Sequence, residues 1–494
     1  MNILAVAAEC SPFAKIGGLA DVVSALAKEW HGLGHSVRVV LPKYGNIDCQ
    51  RWNIKPTSSV VAVPIGWWQE YTRLWRGVLP GTDVPVYFLE SRDYFDRAGI
   101  YGDPDGYPDN DRRFLFLSRA ALEIASSIDF VPDIIHAHDW HTAFALAFLK
   151  SHYRFHPRFA RTAGVFTIHN IAFQGQSDPR RILPLANFPL DQFPGSWFEH
   201  DGAVNLMKTG IMFADKITTV SPTYAREIRW TSAGMGMQPY LNLRGADFLG
   251  VLNGADYTEW DPQTDPHIAA PYSIETLSDK DRNKAALLEE SVPPHDRTLE
   301  IPILGMVSRL TAQKGIDLLL GCIEQFVRTG RARFAILGSG EARYEHALHR
   351  LGRRYPTRVL VYTGYNASLS HHVIASSDFL VMPSLFEPCG LTQIYALRYG
   401  TVPIVRATGG LADTVEEYDP VTGTGTGFTF GEYSASAFAR AIERALRYYR
   451  HPVHWNRIRT NGMRQDFSAT KSAQQYLNVF RWALEKIGRN PNST

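Results

Sequence analysis

NILAVAAECSPFAKIGGLADVVSALAKEWHGLGHSVRVVLP, residues 2–42, decides the fold. Residues 2–8 (NILAVAA) form an apolar run without the alternation that one wet face would impose, so they read as a buried strand. KIGGLAD at 15–21 supplies a glycine-bearing turn. A helix-like stretch continues to about His31, and SVRVVLP at 36–42 is a second strand. Strand, glycine turn, helix and strand make a βαβ unit.

The pattern repeats outward. PVYFLE (85–90), DIIHAH (133–138), AGVFTIH (163–169) and KITTVS (216–221) are short β-branched runs, with helical stretches such as DRRFLFLSRAALEIASS (111–127) between them. Such alternation predicts a parallel sheet covered on both faces. After a polar, proline-bearing stretch at about 255–300 the series restarts with PILGMVS (302–308), ARFAILGSG (332–340), RVLVYTG (358–364), DFLVMPS (378–384), TVPIVRAT (401–408) and TGFTF (426–430). The expectation is an α/β chain of two doubly wound, Rossmann-like domains, 1–245 and 246–465. A C-terminal segment, 466–494, carries the amphipathic run AQQYLNVFRWALEKI and is expected to pack back on the first domain.

Composition narrows the function. A chain of 494 residues is too long for one core, and 45% apolar with 20% charged residues is an ordinary globular balance. A net charge of +2 without a basic block argues against nucleic acid. No apolar run reaches the roughly 18 residues of a membrane span. The four cysteines form no CxxC pair, and MNILAVAAE lacks the features of a signal peptide, so the cytoplasm is the expected compartment.

Ligands of doubly wound sheets bind at the carboxyl ends of strands, and polar residues cluster there. Lys15 precedes Gly17 and Gly18, whose bare backbone can approach an anion at a helix N-terminus. IHAHDWH at 135–141 holds three histidines within six residues. His136 and His138 are read as pointing to opposite faces of the strand, which argues against a shared metal, and Asp139 is the better functional candidate. His169 in TIHN and Asn253 in LNGAD lie at further strand ends. Arg309 and Lys314, five apart on one loop, can converge on a diphosphate. Both are read as loop cations whose removal would slow chemistry and leave the fold intact. Glu387 in FEPCGLTQ can accept sugar hydroxyls, and Gly390 frees the amides after it to face a phosphate. Asp103 and Asp105 have the spacing of a metal-holding DxD, yet GDPDGYPDND reads as turn chemistry. No metal and no cofactor is assigned.

Taken together, KIGGLADV, HAHDWHT, TIHN, LNGAD, SRLTAQKG, FEPCGLTQ and TGGLADTV resemble the bacterial glycogen synthase and plant starch synthase family, in its order and over nearly the whole chain. The resemblance implies the GT-B fold, two Rossmann-like domains with a cleft between them. It also implies transfer of glucose from ADP-glucose to the non-reducing 4-OH of an α-1,4-glucan such as glycogen, with retention. On that basis Lys15 with Gly17 and Gly18 would meet the nucleotide phosphates. Arg309 and Lys314 would neutralise the departing diphosphate, Glu387 would hold glucose hydroxyls, and the Leu391 and Thr392 amides would bind the distal phosphate. Asp139, His169 and Asn253 would flank glucose and acceptor, Tyr365 would stack on adenine, and Cys389 would pack nearby. Related families carry a second Glu eight residues after the first; here that position is Tyr395. A dehydrogenase would need GxGxxG, which KIGGLAD lacks. A non-catalytic sugar-binding protein would not need Arg309 and Lys314. UDP-glucose with the same chemistry stays open, because ring stacking suits either base.

Overall fold

A computed structural model describes residues 1–102, 106–364 and 366–489. The chain divides into two compact units.

The first unit comprises Met1–Gly254 and the segment from Ala469 onward. Its main sheet uses β1 (Asn2–Val6), β2 (Ser36–Pro42), β3 (Lys55–Ile65), β4 (Trp68–Val78), β5 (Pro85–Glu90), β6 (Ile134–His138) and β7 (Ala163–Ile168), with β11 (Lys216–Thr219) and β12 (Phe248–Gly250). Three short strands between β7 and β11, namely β8 (Gln176–Ser177), β9 (Glu199–His200) and β10 (Ala203–Asn205), make a separate antiparallel sheet. The order of the main sheet is β12-β11-β7-β6-β1-β2-β5-β4-β3. From β12 to β5 every pairing is parallel. β5, β4 and β3 pair antiparallel. That hairpin edge departs from the all-parallel expectation. Its strands alternate buried and exposed, which suits an edge wet on one face.

β12 pairs with β11 in this sheet, so the expected boundary at 245 falls one strand short. The helix Ala469–Lys486 lies on the same unit. The Trp30 indole N–H donates to the Ala473 carbonyl at 3.2 Å, the Trp30 and Phe480 rings lie 5.0 Å apart, and Lys486 pairs with Asp247.

The second unit, Ala255–Ser468, has one parallel sheet. Its strands are β13 (Ile303–Val307), β14 (Arg333–Gly338), β15 (Val359–Thr363), β16 (Phe379–Met382), β17 (Val402–Arg406) and β18 (Phe428–Phe430), in the order β15-β14-β13-β16-β17-β18. This is the doubly wound 3-2-1-4-5-6 arrangement, whose direction of progression reverses between β13 and β16. In the first unit the corresponding reversal lies between β1 and β6. At a reversal the loops of neighbouring strands leave toward opposite faces and open a crevice. Glu9 to Gly18 follow β1, Asp139 follows β6, Arg309 to Gly315 follow β13, and Glu387 follows β16.

Candidate active site

In the second unit three loops are fastened together by glycines with no room for a side chain. Gly315 has φ 71°, and a Cβ there would lie 2.1 Å from the Pro383 carbonyl oxygen. Gly409 has φ 46°, and its Cβ would lie 1.8 Å from the Glu387 carbonyl oxygen. The 309–315 and 408–410 loops can therefore press onto the loop after β16 only as glycine. The Leu385 N–H donates to the Gln313 carbonyl at 2.8 Å, and the Gly410 N–H to the Glu387 carbonyl at 3.1 Å.

The side chains then arrange themselves. The Lys314 ammonium donates to Glu387 Oε2 at 2.6 Å, their side chains only 16% and 6% exposed. The Ser384 hydroxyl donates to the same oxygen at 3.1 Å. Arg309, by contrast, is exposed, and among the described residues its guanidinium has no ion pair or hydrogen bond. The two cations read as equivalent are not. Lys314 is paired with a buried carboxylate, so its removal is expected to cost stability where the sequence suggested none; Arg309 is available to an incoming anion.

Beyond Glu387, Cys389 is buried and Gly390 takes φ 71°. Buried Gln393 donates through its amide to the Cys389 and Gly390 carbonyls, each at 3.0 Å, and so holds the turn. Leu391 sits at the cap of the helix Thr392–Arg398 without a side-chain cap. The first N–H groups of a helix lack intrahelical partners, so Leu391 and Thr392 stand where an anion would be met by amides. Tyr395 stacks on Trp260 at 3.9 Å with the rings 2° from parallel. That position serves packing.

At the first unit's reversal the chemistry is different. Lys15 pairs with Asp21 at 2.7 Å. Gly17 is extended, and a Cβ there would meet no heavy atom within 4 Å. Neither backbone nor packing requires a glycine, which leaves its bare face open to approach. Its N–H, however, already has an anion. Glu9 Oε2 accepts from the Ile16 N–H at 2.6 Å and from the Gly17 N–H at 3.1 Å, while Oε1 accepts from the Tyr101 hydroxyl at 2.6 Å. Glu9 is buried, and burial raises its carboxyl above the ordinary range. Tyr101 in turn stacks on His141 with centroids 4.8 Å apart.

Asp139 has φ 56° and ψ 179°, a region nearly confined to glycine and worth about 1–3 kcal/mol of strain. Its Oδ1 accepts from the His169 N–H at 2.7 Å and the Asn170 N–H at 3.4 Å. Burial nevertheless pushes the carboxyl up to about 7, helped by the charge of Glu9. His136, His141 and His169 are pushed down to about 3 by burial and are neutral imidazoles. His138 Nδ1 and His169 Nε2 share a hydrogen bond of 3.0 Å, and His136 meets the Thr167 hydroxyl at 2.7 Å.

The expectation that His136 and His138 face opposite ways is wrong. Residues two apart in a strand share a face, and the rings lie 4.0 Å apart. Each has its own neutral hydrogen bond, His136 to Thr167 and His138 to His169. Among the described residues no three His, Cys, Asp or Glu side chains converge as metal ligands. Asn253 is buried with its Oδ1 unpartnered, while its N–H donates to the Val220 carbonyl at 3.2 Å. Tyr365, Asp103 and Asp105 lie outside the described residues.

Glu9 and Tyr101 were not among the residues expected from sequence. Glu9 is the first carboxylate after the first strand, a visible signal. Tyr101 sits in a Gly- and Pro-rich stretch that reads only as turn.

Residues 2–243 match the starch synthase catalytic domain family, and residues 289–461 match the glycosyl transferases group 1 family. The chain is 43% identical over 490 residues to glycogen synthase 1 of Geobacter sulfurreducens, covering 98% of this chain and 97% of that protein. It is 39% identical to the glycogen synthase of Thermotoga maritima, over 99% and 100% of the two chains. Among solved structures, the catalytic domain of starch synthase IV from Arabidopsis thaliana, bound to ADP and acarbose, matches with TM-score 0.91 and 34% identity over 98% of this chain and 99% of that one. Sucrose-phosphate synthase from Thermosynechococcus elongatus, at 15% identity and TM-score 0.62 over 97% and 98% of the chains, shares the fold.

Proposed function

Because the chain belongs to the glycogen and starch synthase family, with its GT-B fold and glucosyltransferase activity, we propose that it lengthens an α-1,4-glucan from ADP-glucose with retention of the α configuration. The observation that carries this reading is the second unit's crevice. An unpaired guanidinium, a buried lysine–glutamate pair and the amino end of a helix gather there. Such a set suits a donor that is anionic at one end and rich in hydroxyls at the other.

In this reading Arg309 and the Leu391 and Thr392 amides receive the diphosphate. Bond cleavage adds negative charge to the distal phosphate, and preorganised donors gain most at that moment. Glu387 accepts glucose hydroxyls, and Lys314 holds it in place. Cys389 and Gly390 shape that turn. On the first unit, Lys15, the open face of Gly17 and the Gly18 amide serve the donor's phosphates. Asp139, His169 and Asn253 serve the sugar, where a cationic transition state gains from a nearby carboxylate and neutral imidazoles. Attack from the face of the leaving phosphate accounts for retention without a dedicated nucleophile. Tyr365 is assigned to the base. The enzyme works in the cytoplasm.

Chain growth on glycogen, measured with ADP-glucose and with UDP-glucose, tests this. Faster turnover with ADP-glucose is expected. Equal or better turnover with UDP-glucose overturns the donor assignment, and no chain growth with either overturns the reaction.

A further inference from the structure

Glu9 is a buried carboxylate that the roles above leave without a task. It lies at the first unit's reversal, between two parts of the site. One of its oxygens takes the Ile16 and Gly17 amides, at 2.6 and 3.1 Å, and the other takes the Tyr101 hydroxyl at 2.6 Å. Two segments far apart in sequence, 15–18 and 101, are thus set against each other by one side chain. Tyr101 passes the constraint on by stacking on His141, two residues beyond Asp139. The Lys15 ammonium, one residue from the Ile16 amide, is held to Asp21 at 2.7 Å.

We propose that Glu9 is a positioning residue for the transfer reaction, an internal anion that shapes the 15–18 loop for the donor and locks Tyr101 against the His141 wall of the sugar site. The proposal rests on the glucosyltransferase reading above. It divides the loop's donors. The Ile16 and Gly17 N–H groups are taken from within, so what this loop offers a phosphate is Lys15, the bare face of Gly17 and the amides that open the helix Gly18–Gly32. A carboxylate is needed because both oxygens must accept. An amide of the same shape has one accepting oxygen and presents donors at the other end.

The substitution that separates the two ends is therefore Glu9→Gln. Its carbonyl oxygen can still accept from Ile16 and Gly17, but its NH2 faces Tyr101, whose hydroxyl must stop donating there. Tyr101→Phe removes the same hydrogen bond from the other side and leaves the loop capped. Each variant is expected to lower kcat/KM for ADP-glucose by roughly ten- to a hundredfold, the rate equivalent of one charge-assisted hydrogen bond. The double variant is expected to be about as slow as the slower single one, since both act on the one charge-assisted contact between Tyr101 and position 9.

The pH profile adds a readout that bare folding would not move. The groups facing Glu9 are Asp21 on the helix, Tyr44 after β2, Tyr101, and Asp139 after β6, with Arg113 beside Tyr44 and His141. Removing the Glu9 charge removes one cause of the raised Asp139 carboxyl, so the acid limb of the kcat/KM profile moves to lower pH in Glu9→Gln. The decisive assay runs wild type, both single variants and the double variant on glycogen with ADP-glucose, with the folded fraction of each taken from its melting curve. Activity that falls only with the folded fraction overturns the proposal. So does a double variant whose loss is the product of the two single losses, or an unmoved acid limb. A wild type that extends no glucan in the same assay overturns the functional reading first.

Discussion

At the second unit's crevice a positive charge lies within reach of solvent. Arg309 stands exposed and, among the described residues, unpaired, while the Glu387 carboxylate is buried and paired with Lys314. At the first unit's crevice two carboxylates, Glu9 and Asp139, are buried beside imidazoles kept neutral by the same burial. Both crevices come from one topological device, a parallel sheet whose winding reverses. The difference teaches that topology supplies the place and burial decides the chemistry. Where solvent reaches, a fixed charge can meet an anion. Where it does not, carboxyls rise and histidines fall toward neutrality, and the surface becomes sensitive to protons.

The largest effect is expected at the buried pair. Lys314→Ala leaves the buried Glu387 without its ion-pair partner, with the Ser384 hydroxyl still donating to it. Removing one partner of a buried ion pair destabilises by roughly 3–5 kcal/mol. Urea unfolding of the second unit should show a loss on that scale, with kcat down at least ~10². A variant as stable as wild type breaks the contrast between Lys314 and Arg309. Arg309→Ala sharpens it from the other side. Stability should stay within about 0.5 kcal/mol, as for an exposed side chain without partners. The rate should fall roughly 10²–10³, as when one preorganised charge-stabilising donor is lost. If only the donor KM rises and kcat holds, Arg309 docks the donor without serving the leaving group.

The fold was legible because each strand announces itself. NILAVAA, PILGMVS and DFLVMPS are buried on both faces, so their apolar runs have few other readings. The hairpin 55–78 announces itself less, because Ser58, Arg73 and Arg76 are exposed and a buried polar residue, Thr72, interrupts its apolar face. The candidate positions were legible for the same reason: Arg309, Lys314, Glu387, Asp139 and His169 all follow strong strands. Their pairing was not. Nothing in the spacing of Lys314 and Glu387, 73 residues apart, tells that they bond while Arg309 does not. Nor can a sequence show the left-handed φ of Asp139, which depends on the His169 and Asn170 amides arriving from the next strand.

Asp139 gives the proton-dependent half of the comparison. Its carboxyl stands at about 7 in the folded chain against an ordinary 3.8. Between those values the folded state holds a proton that the unfolded state has lost. Stability from this group is therefore present at low pH and is lost as pH rises toward 7. Asp139→Asn cannot ionise, so its stability relative to wild type should grow between pH 4 and pH 7, read from urea midpoints across that range. Glu9 is shifted in the same direction and its charge acts on Asp139, so the comparison is repeated in a Glu9→Gln background, where Glu9 contributes nothing. Activity should move oppositely, since the ionised carboxylate is the form that favours a cationic sugar. A stability difference that does not change with pH would show that Asp139 is ionised throughout.

The smallest effect on stability is expected at Gly17, and the same substitution at Gly409 gives the cleanest opposition. Gly409→Ala must place a methyl 1.8 Å from the Glu387 carbonyl oxygen at φ 46°, so the backbone has to move, and with it the carboxylate that the pair with Lys314 holds. Gly17→Ala meets nothing within 4 Å at an extended backbone that alanine can adopt. Alanine also restricts the unfolded chain, so a gain of up to about 1 kcal/mol is expected where the native conformation suits it. Stability alone would then favour alanine at position 17. If the open face of Gly17 is where a donor phosphate approaches, the added methyl stands in its path. The expected outcome is a melting temperature equal to or above wild type, with a donor KM raised roughly tenfold, the equivalent of about 1.4 kcal/mol of lost binding. Unchanged KM in a stabilised Gly17→Ala would remove this loop from the donor site, and would leave its glycine explained by neither the fold nor the ligand.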